Sequence, residues 1–549
     1  MISKTCAYCG TDFTITDAEL LMYEKVSVVI PEICVQCRFK QHMAFWPFGK
    51  FRKATSDLSG TSLITMLPAN ARYPIYTYTE WLSDAWDPME YSQEYDEHRS
   101  FFDQMKDLQE KVPRPHQQGV RSVGCDWCDD VEDSKNCYLS RSLFKTENLM
   151  YGYRAVDTKD SIDISHVYTL DNCYDCTFSF NSYNLAFSRN CRDCLDSRFL
   201  FDCRNCKDCF MCWNLRGKQY CIENVQYTKE EYLEEMQKID FGSYAFLQML
   251  REKYNTILRT EVVHRENFNQ STQSSIGTYM TNCNNCINVF GWENSENCFN
   301  CLRGLKTKDS IDLIGNWIVE LSGNNSCCTE SYALKYSSWS SGRYSEYLDE
   351  CMEVENCFGC VGLRKKQYCI LNKQYSKDEF FKLRESIVAN MIKAGEYGKF
   401  LPYSMGLCAY NFTTASIYMP DVTREYIEKL GGYWDDSKED QAQGMESQHL
   451  PDHIHDAPDS LPAQALICPE TGWRFNIAED ELAFLKRKGF ALPRFHFDVR
   501  TKNRMKTMAP FVSEKYHCCY CEKEVFAYYP KEWQYGKVAC SECYLKEIA

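Results

Sequence analysis

The sequence predicts a mainly β protein, in which a duplicated parallel β-helix (solenoid) with capping helices is flanked by small zinc-ribbon or treble-clef modules. Three observations lead to this fold class. Pairs of C-x-x-C motifs stand at both ends of the chain, the central region recurs at an offset of 148 residues, and each copy contains a shorter period of about 12 residues.

The composition is that of a folded chain of 549 residues, with a formal net charge of −15 and 33 cysteines. The amino-terminal segment lacks the apolar core of a signal peptide, and no apolar run is long enough to cross a membrane. These features predict a cytoplasmic protein that is not coated with positive charge for non-specific nucleic-acid binding. In a reducing compartment, the cysteines are expected to be metal ligands, buried apolar residues or reactive thiols.

Complete zinc-binding patterns occupy both ends of the chain. The first is C-x2-C-x24-C-x2-C and the second is C-x2-C-x18-C-x2-C. Each C-x-x-C turn places two thiolates along one tetrahedral edge, so two turns close a four-thiolate shell around Zn²⁺. A closed shell has no open position, and the patterns therefore predict two structural zinc sites, with Cys519 as a spare thiol. The predicted ligands are Cys6, Cys9, Cys34, Cys37, Cys518, Cys521, Cys540 and Cys543.

A third, degenerate copy of the terminal pattern lies at an offset of 462 residues. There "CAYCGTDFTITDAEL" aligns with "CPETGWRFNIAEDEL". The ligand positions become Cys468, Thr471, His496 and Val499, so two strong ligands are missing. We expect the fold of this module to persist without a metal ion.

The central duplication is clearest at its end, where "DCFMCWNLRGKQYCIENVQYTKEE" recurs as "NCFGCVGLRKKQYCILNKQYSKDE" with 15 of 24 residues identical. Within each copy, apolar or Cys anchors, usually preceded by Asn, recur at gaps of 11 to 13 residues. Two such steps match one coil of a parallel β-helix, about 23 to 25 residues. The intervening Tyr, Phe, Ser and Thr residues suit short strands. After each copy, T-x-x-E or S-x-x-E predicts a capping box and a helix.

The central cysteines have two interpretations. Stacked Cys side chains fit the narrow interior of a solenoid, where they act as small apolar residues. Alternatively, the run Cys203, Cys206, Cys209 and Cys212 resembles the ligand spacing of an iron–sulfur cluster, although the usual ending is absent and the second copy lacks two of the four. We favour the interior role.

A basic and aromatic segment, "RFKQHMAFWPFGKFRK", follows the first zinc pattern. Basic residues among aromatic ones suit phosphate pairing and base stacking. The alternative is an amphipathic segment that packs onto its own module, which the acidic total charge favours. The candidate nucleic-acid contacts are Arg38, Lys40, Lys50, Arg52 and Lys53.

These patterns divide the chain into nine predicted segments. They are a zinc module with its basic tail (1–55), an aromatic connector (56–118), the first β-helix half (119–227), capping helices (228–275), the second half (276–375), further capping helices (376–433), an acidic linker (434–464), the degenerate module (465–509) and the carboxyl-terminal zinc ribbon (510–549).

Taken together, "CAYCGTDFTITDAEL", the "NC" repeats, "LR-x-KQYC" and the closing "CCYCEKEVF…CSEC" are similar to a group of uncharacterised multi-zinc-ribbon proteins with a central Cys/Asn-rich repeat. The resemblance spans almost the whole chain. It implies the domain layout given above but no activity.

The predicted function is a non-enzymatic zinc-binding scaffold or adaptor for a macromolecular partner, with nucleic acid or a nucleoprotein complex as the candidate. The long repeat offers an extended lateral surface for such a partner. Two alternatives stay open. One is a redox or metal-handling protein that uses the central cysteines. The other is a β-helix enzyme acting on a polymer, with the recurring carboxylates Asp160, Asp163, Asp309 and Asp312 as candidates.

Overall fold

A computed structural model describes residues 1–293, 296–299, 304–305, 308–311, 319–320, 331–436, 443–508, 511 and 513–548. The chain forms two compact units, each built from two separate stretches of sequence. Unit 1 contains Met1–Gln117 and Asn267–Asp435, and unit 2 contains Gln118–Glu266 and Asp436–Ala549. Parts of the predicted second β-helix half and residues 437–442 of the predicted linker lie outside the described residues.

The predicted fold class is wrong. The described residues form eleven separate sheets of two to eight strands together with twelve α-helices, and strand and helix each account for 27%. None of the described sheets is closed or wound as a solenoid sheet. The protein is therefore a mixed α and β protein rather than a mainly β one.

The first stretch of unit 1 consists of two small modules and a connecting helix. Its elements are β1 (Ile2–Thr5), β2 (Asp12–Ile15), α1 (Asp17–Lys25), α2 (Val35–Met43), β3 (Arg52–Thr55), β4 (Ser62–Thr65), β5 (Ile75–Tyr76), α3 (Tyr78–Leu82), α4 (Phe101–Gln109) and β6 (Arg114–Pro115).

The first stretch of unit 2 contains a parallel strand region and two helices. Its elements are β7 (Cys128–Glu132), β8 (Ser140–Phe144), β9 (Tyr153–Val156), β10 (Ile162–Asp171), β11 (Tyr174–Thr177), β12 (Phe180–Tyr183), β13 (Lys207–Phe210), β14 (Gln219–Ile222), β15 (Val225–Gln226), α5 (Lys229–Gln237), α6 (Tyr244–Thr260) and β16 (Val263–Arg265).

The second stretch of unit 1 contains a second parallel region and three helices. Its elements are β17 (Ile276–Thr278), β18 (Ile287–Phe290), β19 (Trp292–Glu293), β20 (Glu296–Phe299), β21 (Gly304–Leu305), β22 (Lys308–Ile311), β23 (Val319–Glu320), β24 (Ser331–Lys335), β25 (Gly342–Glu346), β26 (Val354–Glu355), β27 (Cys369–Ile370), β28 (Lys373–Gln374), α7 (Lys377–Lys393), α8 (Thr414–Tyr418) and α9 (Arg424–Lys429).

The second stretch of unit 2 contains two more modules. Its elements are β29 (Met445–Glu446), β30 (Leu466–Ile467), β31 (Arg474–Phe475), α10 (Glu479–Lys488), α11 (Phe497–Met505), β32 (Glu514–His517), β33 (Glu524–Ala527), β34 (Lys537–Ala539) and α12 (Ser541–Glu547).

The parallel region of unit 2, called here the first ladder (residues 123–222), pairs residues that lie 12 positions apart. Arg141 pairs with Tyr153, Tyr153 with Ser165, and Ser165 with Thr177. The second ladder (residues 270–370) of unit 1 pairs residues 11 or 12 apart, as in Tyr332 with Arg343 and Gly342 with Val354. The offset between paired residues therefore equals the distance between successive sequence anchors. The predicted coil, which spans two such distances, is too long.

A three-residue rule governs the first ladder. Every third residue from Asp130 to Asn214 has a positive φ, and Asn and Asp are the commonest residues there. The next residue is buried in most steps, as Val131, Cys173 and Leu200 are. The left-handed residues lie inside the strands, as Asp130 does in β7, so parallel pairing continues across them.

The interior cysteines of the first ladder are hydrogen-bonded core residues. Cys203 Sγ donates to the carbonyl oxygens of Phe201 and Cys212, at 3.5 and 3.6 Å. Serine takes the same role in other steps: Ser182 Oγ donates to Phe180 O and accepts the N–H of Cys194, 12 residues later. The predicted interior role is confirmed for the buried cluster Cys128, Cys137, Cys173, Cys176, Cys191, Cys194, Cys203, Cys206, Cys209, Cys212 and Cys221.

Both predicted capping boxes are confirmed. Thr228 Oγ1 accepts from the N–H of Glu231, whose carboxylate accepts from the N–H of Thr228, at the start of α5. Ser376 and Glu379 make the same pair of bonds at α7. Among the described residues, none of the helices has both the length and the apolar character needed to span a bilayer.

Candidate metal centres

The first group of four cysteines lies in module 1 (residues 2–43). The ligand atoms of Cys6, Cys9, Cys34 and Cys37 all lie within 4.8 Å of one another. The tight turn after β1 supplies the first two, and Cys34 is the N-cap of α2, so that Cys37 lies in the first helical turn. The Cys9 and Cys34 sulfurs are 3.8 Å apart, and the N–H of Cys34 donates to Cys6 Sγ.

The second group lies in module 4 (residues 514–547) and has the same construction. Cys518 and Cys521 lie in the turn between β32 and β33, while Cys540 is the N-cap of α12 and Cys543 follows in its first turn. The Cys521 and Cys540 sulfurs are 3.9 Å apart, and all four ligand atoms lie within 4.8 Å of one another. The neighbouring Cys519 is exposed and is not part of the group.

Each group contains both a thiol with a lowered pKa and a thiol with a raised pKa. The hydrogen bond with Cys34 raises the pKa of Cys37, and the hydrogen bond with Cys540 raises that of Cys543. The Cys37 thiol donates to Cys34 and lowers the pKa of Cys34 to about 5. Burial raises the pKa of Cys518, but backbone hydrogen bonds from Cys540, Tyr520 and Cys521 outweigh it and lower that pKa to about 6. A thiolate is the form of cysteine that binds a metal ion.

The donor sets fit a tetrahedral metal ion. For metal–sulfur bonds of roughly 2.3 Å, the edge of the sulfur tetrahedron is about 3.8 Å. The observed sulfur separations of 3.8 and 3.9 Å match this edge. The eight cysteines predicted as ligands therefore form two groups, each able to hold one metal ion in a closed shell.

Module 3 (residues 466–505) has the predicted relationship to module 1. Helices α10 and α11 begin 462 residues after α1 and α2, and the turn glycines Gly10 and Gly472 have φ values of 73° and 70°. The carboxylates of Glu19 and Glu481 both accept the N–H at the start of the first helix. His496 caps α11 at the position that Cys34 has at the start of α2 in module 1. Its Nδ1 accepts the N–H of Asp498.

A fourth copy, module 2 (residues 52–82), is not apparent from the cysteine pattern. Its ligand positions hold Ser56, Ser59, Thr77 and Glu80. Thr77 is the N-cap of α3, as Cys540 is of α12. The N–H of Tyr78 donates to His116 Nδ1, and the N–H of Ser541 donates to Glu266 Oε1 at the equivalent place in module 4.

One pair of backbone hydrogen bonds identifies all four modules. The residue at the first ligand position donates to the carbonyl oxygen five residues later and accepts from the N–H four residues later. The donor four residues later has a positive φ in every copy, because it is Gly10, Gly60, Gly472 or Glu522. The first ligand positions are Cys6, Ser56, Cys468 and Cys518.

Hydrogen bonds hold the ligand positions of module 2 together. Glu80 Oε2 accepts from Ser56 Oγ at 2.5 Å and from the N–H of Thr77 at 2.9 Å, and Thr77 Oγ1 accepts from the N–H of Glu80. Desolvation raises the pKa of Glu80, but hydrogen bonds from Ser56, Ser59 and Thr77 lower it to about 2. A charged carboxylate thus lies among the positions that the four cysteines occupy in module 4. The sequence signals are Gly60 in the turn and the capping box T-x-x-E.

The basic residues of the predicted nucleic-acid segment differ in exposure. Arg38 is buried and donates to Ile33 O, and Arg52 donates to the carbonyl oxygens of Leu67 and Pro68. Lys40 lies 5.4 Å from the ring centroid of Tyr426, Lys50 is half-buried, and Lys53 is exposed. Three aromatic residues of the segment are buried, which removes them from base stacking: Phe45, Trp46 and Phe48.

The remaining sequence candidates have structural partners. Each thiol of the run Cys203, Cys206, Cys209 and Cys212 donates to the carbonyl oxygen two residues before it. Asp160 accepts from Asn148 Nδ2, and Asp163 is paired with Arg500 and Arg504. The side chains of Asp309 and Asp312 lie outside the described residues.

Comparison with models of known protein families and with curated protein sequences finds no match to this chain. The interpretation of the two cysteine groups and of the ladders therefore follows from their geometry.

Proposed function

We propose that this protein is a non-catalytic, zinc-stabilised scaffold or adaptor that binds a nucleic acid or a nucleoprotein complex. The observation that carries the proposal is a row of arginines on the outer side of the first ladder. Arg192 pairs with Arg204, and Arg204 with Arg216, in the 12-residue register. Parallel pairing places successive members of such a row about 4.8 Å apart.

The arginine row is a local concentration of positive charge. Burial lowers the pKa of Arg204, and the neighbouring charges of Arg265, Arg216 and Arg192 lower it further, while Asp202 opposes them. Arg216 is paired with Asp202 and donates to Tyr544 Oη, whereas in the described part of the chain the Arg204 guanidinium has no hydrogen bond or ion pair. An arginine in this state gains from a phosphate group that supplies the missing negative charge.

Aromatic residues continue the row toward the start of the ladder. Phe180 pairs with Arg192, whose guanidinium lies 5.0 Å from the Phe180 ring centroid. Tyr168 pairs with Phe180 and stacks on it, with ring centroids 5.6 Å apart, and Tyr168 is 40% exposed. Basic and aromatic groups in one line suit a polyanion with planar bases. The row stands out because the whole chain carries a net charge of −15.

The metal ions have a structural role in this proposal. Four thiolates in a closed shell are the donor set of structural zinc sites, and such sites supply folding free energy to small modules. The chemistry of zinc in this setting is limited to holding the four sulfurs together. Each module contributes its own helices and hairpin to the unit that contains it.

Metal content is the first test of the zinc assignment. Protein purified without chelator is analysed by inductively coupled plasma mass spectrometry and by its absorbance spectrum. The expected result is two zinc ions per chain and no visible absorption. Iron, or clearly more than two metal ions, would overturn the scaffold in this form and would favour metal handling by the run from Cys203 to Cys212.

Nucleic-acid capture tests the partner. The protein is captured on a resin from an extract of its source, with and without nuclease treatment, and the nucleic acid that elutes with it is analysed. The affinity for a fluorescent single-stranded oligonucleotide is then measured at increasing salt concentrations. The double variant Arg192→Glu/Arg204→Glu is expected to weaken binding and to reduce the salt slope by about two. Lys50→Glu/Lys53→Glu tests the segment predicted from the sequence. If neither double variant changes binding, or if wild-type protein captures no nucleic acid, the nucleic-acid assignment is wrong.

A further inference from the structure

A cavity of 560 Å³ lies inside unit 2, between the first ladder, helix α6 and the segment that carries helix α11. Volumes in this range are typical of sites for small organic molecules. The ladder side of the cavity carries Tyr174, Thr177 and Arg189, and helix α6 contributes Tyr254. The function proposed above does not use this cavity.

The lining of the cavity has an excess of positive charge. Five arginines and three acidic residues line it, a formal excess of two. Two of the acids are already paired within the lining. Asp163 accepts from Arg500 and Arg504 at 2.5 and 2.8 Å, and Asp175 accepts from Arg251 at 2.6 Å.

The other charged groups of the lining leave one arginine without a hydrogen-bonded counter-charge. Glu252 is exposed and lies 3.6 Å from Arg259, which is not part of the lining. Arg494 donates to the carbonyl oxygens of Leu450 and Pro451. In the described residues, the Arg189 guanidinium makes no hydrogen bond or ion pair and lies 5.6 Å from the ring centroid of Tyr254. Burial raises the pKa of Asp175, but the charges of Arg251, to which that carboxylate is already bonded, and of Arg189 help to lower it.

Two hydroxyl groups lie on the same wall as Arg189. Thr177 is the pairing partner of Arg189 on the neighbouring rung of the ladder, and Tyr174 is three residues before Thr177. No hydrogen bond to either side-chain hydroxyl is present within the described ranges. A guanidinium and two hydroxyls thus offer hydrogen-bond donors to the cavity, and a bound anion would replace water as their partner.

We infer that this cavity binds a small organic anion through an oxyanion group, a phosphate ester or a carboxylate, held by the Arg189 guanidinium and by the hydroxyls of Thr177 and Tyr174. The planar guanidinium donates two parallel hydrogen bonds to either group, and the anion offsets the excess positive charge of the lining. Because the ladder, α6 and the α11 segment all line the cavity, a bound anion stabilises the folded form of unit 2.

Thermal unfolding of the full chain tests this inference. Inorganic phosphate and citrate are the two probes, and sodium chloride at equal ionic strength is the reference. Both arms use the same protein, so they distinguish a phosphate site from a carboxylate site. The expected result is a higher unfolding temperature with at least one probe than with chloride, and a saturable binding isotherm by calorimetry.

Variants of the ladder localise the binding. Arg189→Gln is expected to weaken binding by about ten- to a hundredfold, the effect of a lost hydrogen bond to a charged group. Arg121→Gln is the control, because Arg121 is an exposed arginine of unit 2 that does not line the cavity. Arg192→Gln tests the arginine row as the alternative location of the anion. Thr177→Val supplies a second variant that changes one hydroxyl and keeps the side-chain volume.

Three outcomes would overturn the inference. They are a wild-type response no larger than that to chloride, equal binding by wild type and Arg189→Gln, and loss of binding in Arg192→Gln with retention in Arg189→Gln. The last outcome would assign the anion to the arginine row. The test needs no nucleic acid, so its failure leaves the proposed partner to its own experiment.

Discussion

Modules 2 and 4 share one backbone frame but are held together by different chemistry. In module 4 four cysteines converge, and in module 2 the same positions hold two serines, a threonine and a glutamate that are joined by hydrogen bonds. The comparison shows that the tight turn and the helix N-cap define the module. A charged carboxylate joins these two parts in module 2, and in module 4 they carry four cysteines that can hold a metal ion.

Each unit contains one module of each kind. In unit 1, module 1 has a group of four cysteines and module 2 has none. In unit 2, module 4 has such a group and module 3 does not. A related contrast lies next to modules 2 and 4. Arg114 of β6 is buried against Asp349, whereas the equivalent strand position in β16 holds His264, a buried side chain stacked 3.6 Å from Tyr535.

The largest effect is expected in module 4, where we expect a metal ion to hold the four cysteines together. Cys540→Ser removes one ligand but keeps a side chain that can cap α12. Loss of the metal ion is therefore its main effect, and module 4 should unfold. The cost is on the order of 10 kcal/mol of metal-dependent folding free energy. Metal analysis should give one ion per chain instead of two, and hydrogen exchange should speed up across residues 514–547.

The matched control for that variant is Cys519→Ser. Cys519 is an exposed thiol in the same turn and lies outside the group. The variant Cys519→Ser should keep both metal ions and the hydrogen-exchange rates of the wild type. Retention of two ions by Cys540→Ser would show that the C-terminal group does not hold metal in the way that its geometry indicates.

A metal site should be recoverable in module 2. The variant Ser56→Cys/Ser59→Cys/Thr77→Cys/Glu80→Cys places thiols on a frame that matches module 4, and it should raise the metal content to three ions per chain. The gain in stability should be smaller than the loss in module 4, because module 2 already folds without metal. Ser59→Cys alone is the control and should add no metal. A count of two for the fourfold variant would mean that the frames differ at the ligand positions.

The buried ion pair beside module 2 should have the next largest effect. Asp349 also accepts from Gln109 Nε2 at 2.7 Å, and both Asp349 and Arg114 are almost completely buried. Asp349→Ala leaves the Arg114 charge poorly compensated, and we expect a loss of about 3–5 kcal/mol in urea unfolding.

An exposed pair in the same unit gives the reference value for that experiment. Arg72 and Glu110 are 2.9 Å apart, and the Arg72 side chain is 71% exposed. Glu110→Ala should cost less than about 1 kcal/mol. Equal effects of Asp349→Ala and Glu110→Ala would contradict the assigned role of the buried pair.

The smallest expected effect is the pH dependence caused by His264. Burial lowers the pKa of His264 to about 3, so the folded protein keeps the imidazole neutral when the unfolded chain binds a proton below about pH 6.5. Stability from this residue is present above that pH. It falls by about 1.4 kcal/mol per pH unit as the pH decreases toward 3.

The measurement compares wild type with His264→Gln at pH 7 and pH 5. Wild type should lose about 2 kcal/mol more than the variant over this interval, because glutamine does not titrate. Hydrogen exchange of β16 and β34 reports the effect locally. An identical pH dependence of both proteins would show that His264 binds a proton in the folded state.

The sequence predicts the cysteine groups well because metal ligands need fixed residue types at fixed spacing. It also gives the 12-residue period, since interior positions accept only small or apolar side chains. It does not give the fold class, because the anchor gaps alone do not show which residues pair, and the observed register is one gap rather than two. Module 2 escapes a search for cysteines, because Ser56, Thr77 and Glu80 are ordinary residues of turns and helix caps.

The 12-residue register also fixes how the length of the first ladder can change. Removing 12 residues shortens it by one rung, about 4.8 Å, and leaves every remaining side chain on its original side. Removing 11 residues shifts the three-residue rule by one position, so residues such as Leu200 would turn outward and charged neighbours inward. The length of the first ladder is therefore expected to change in whole rungs, and each added rung moves a row such as Arg192, Arg204 and Arg216 by a fixed increment.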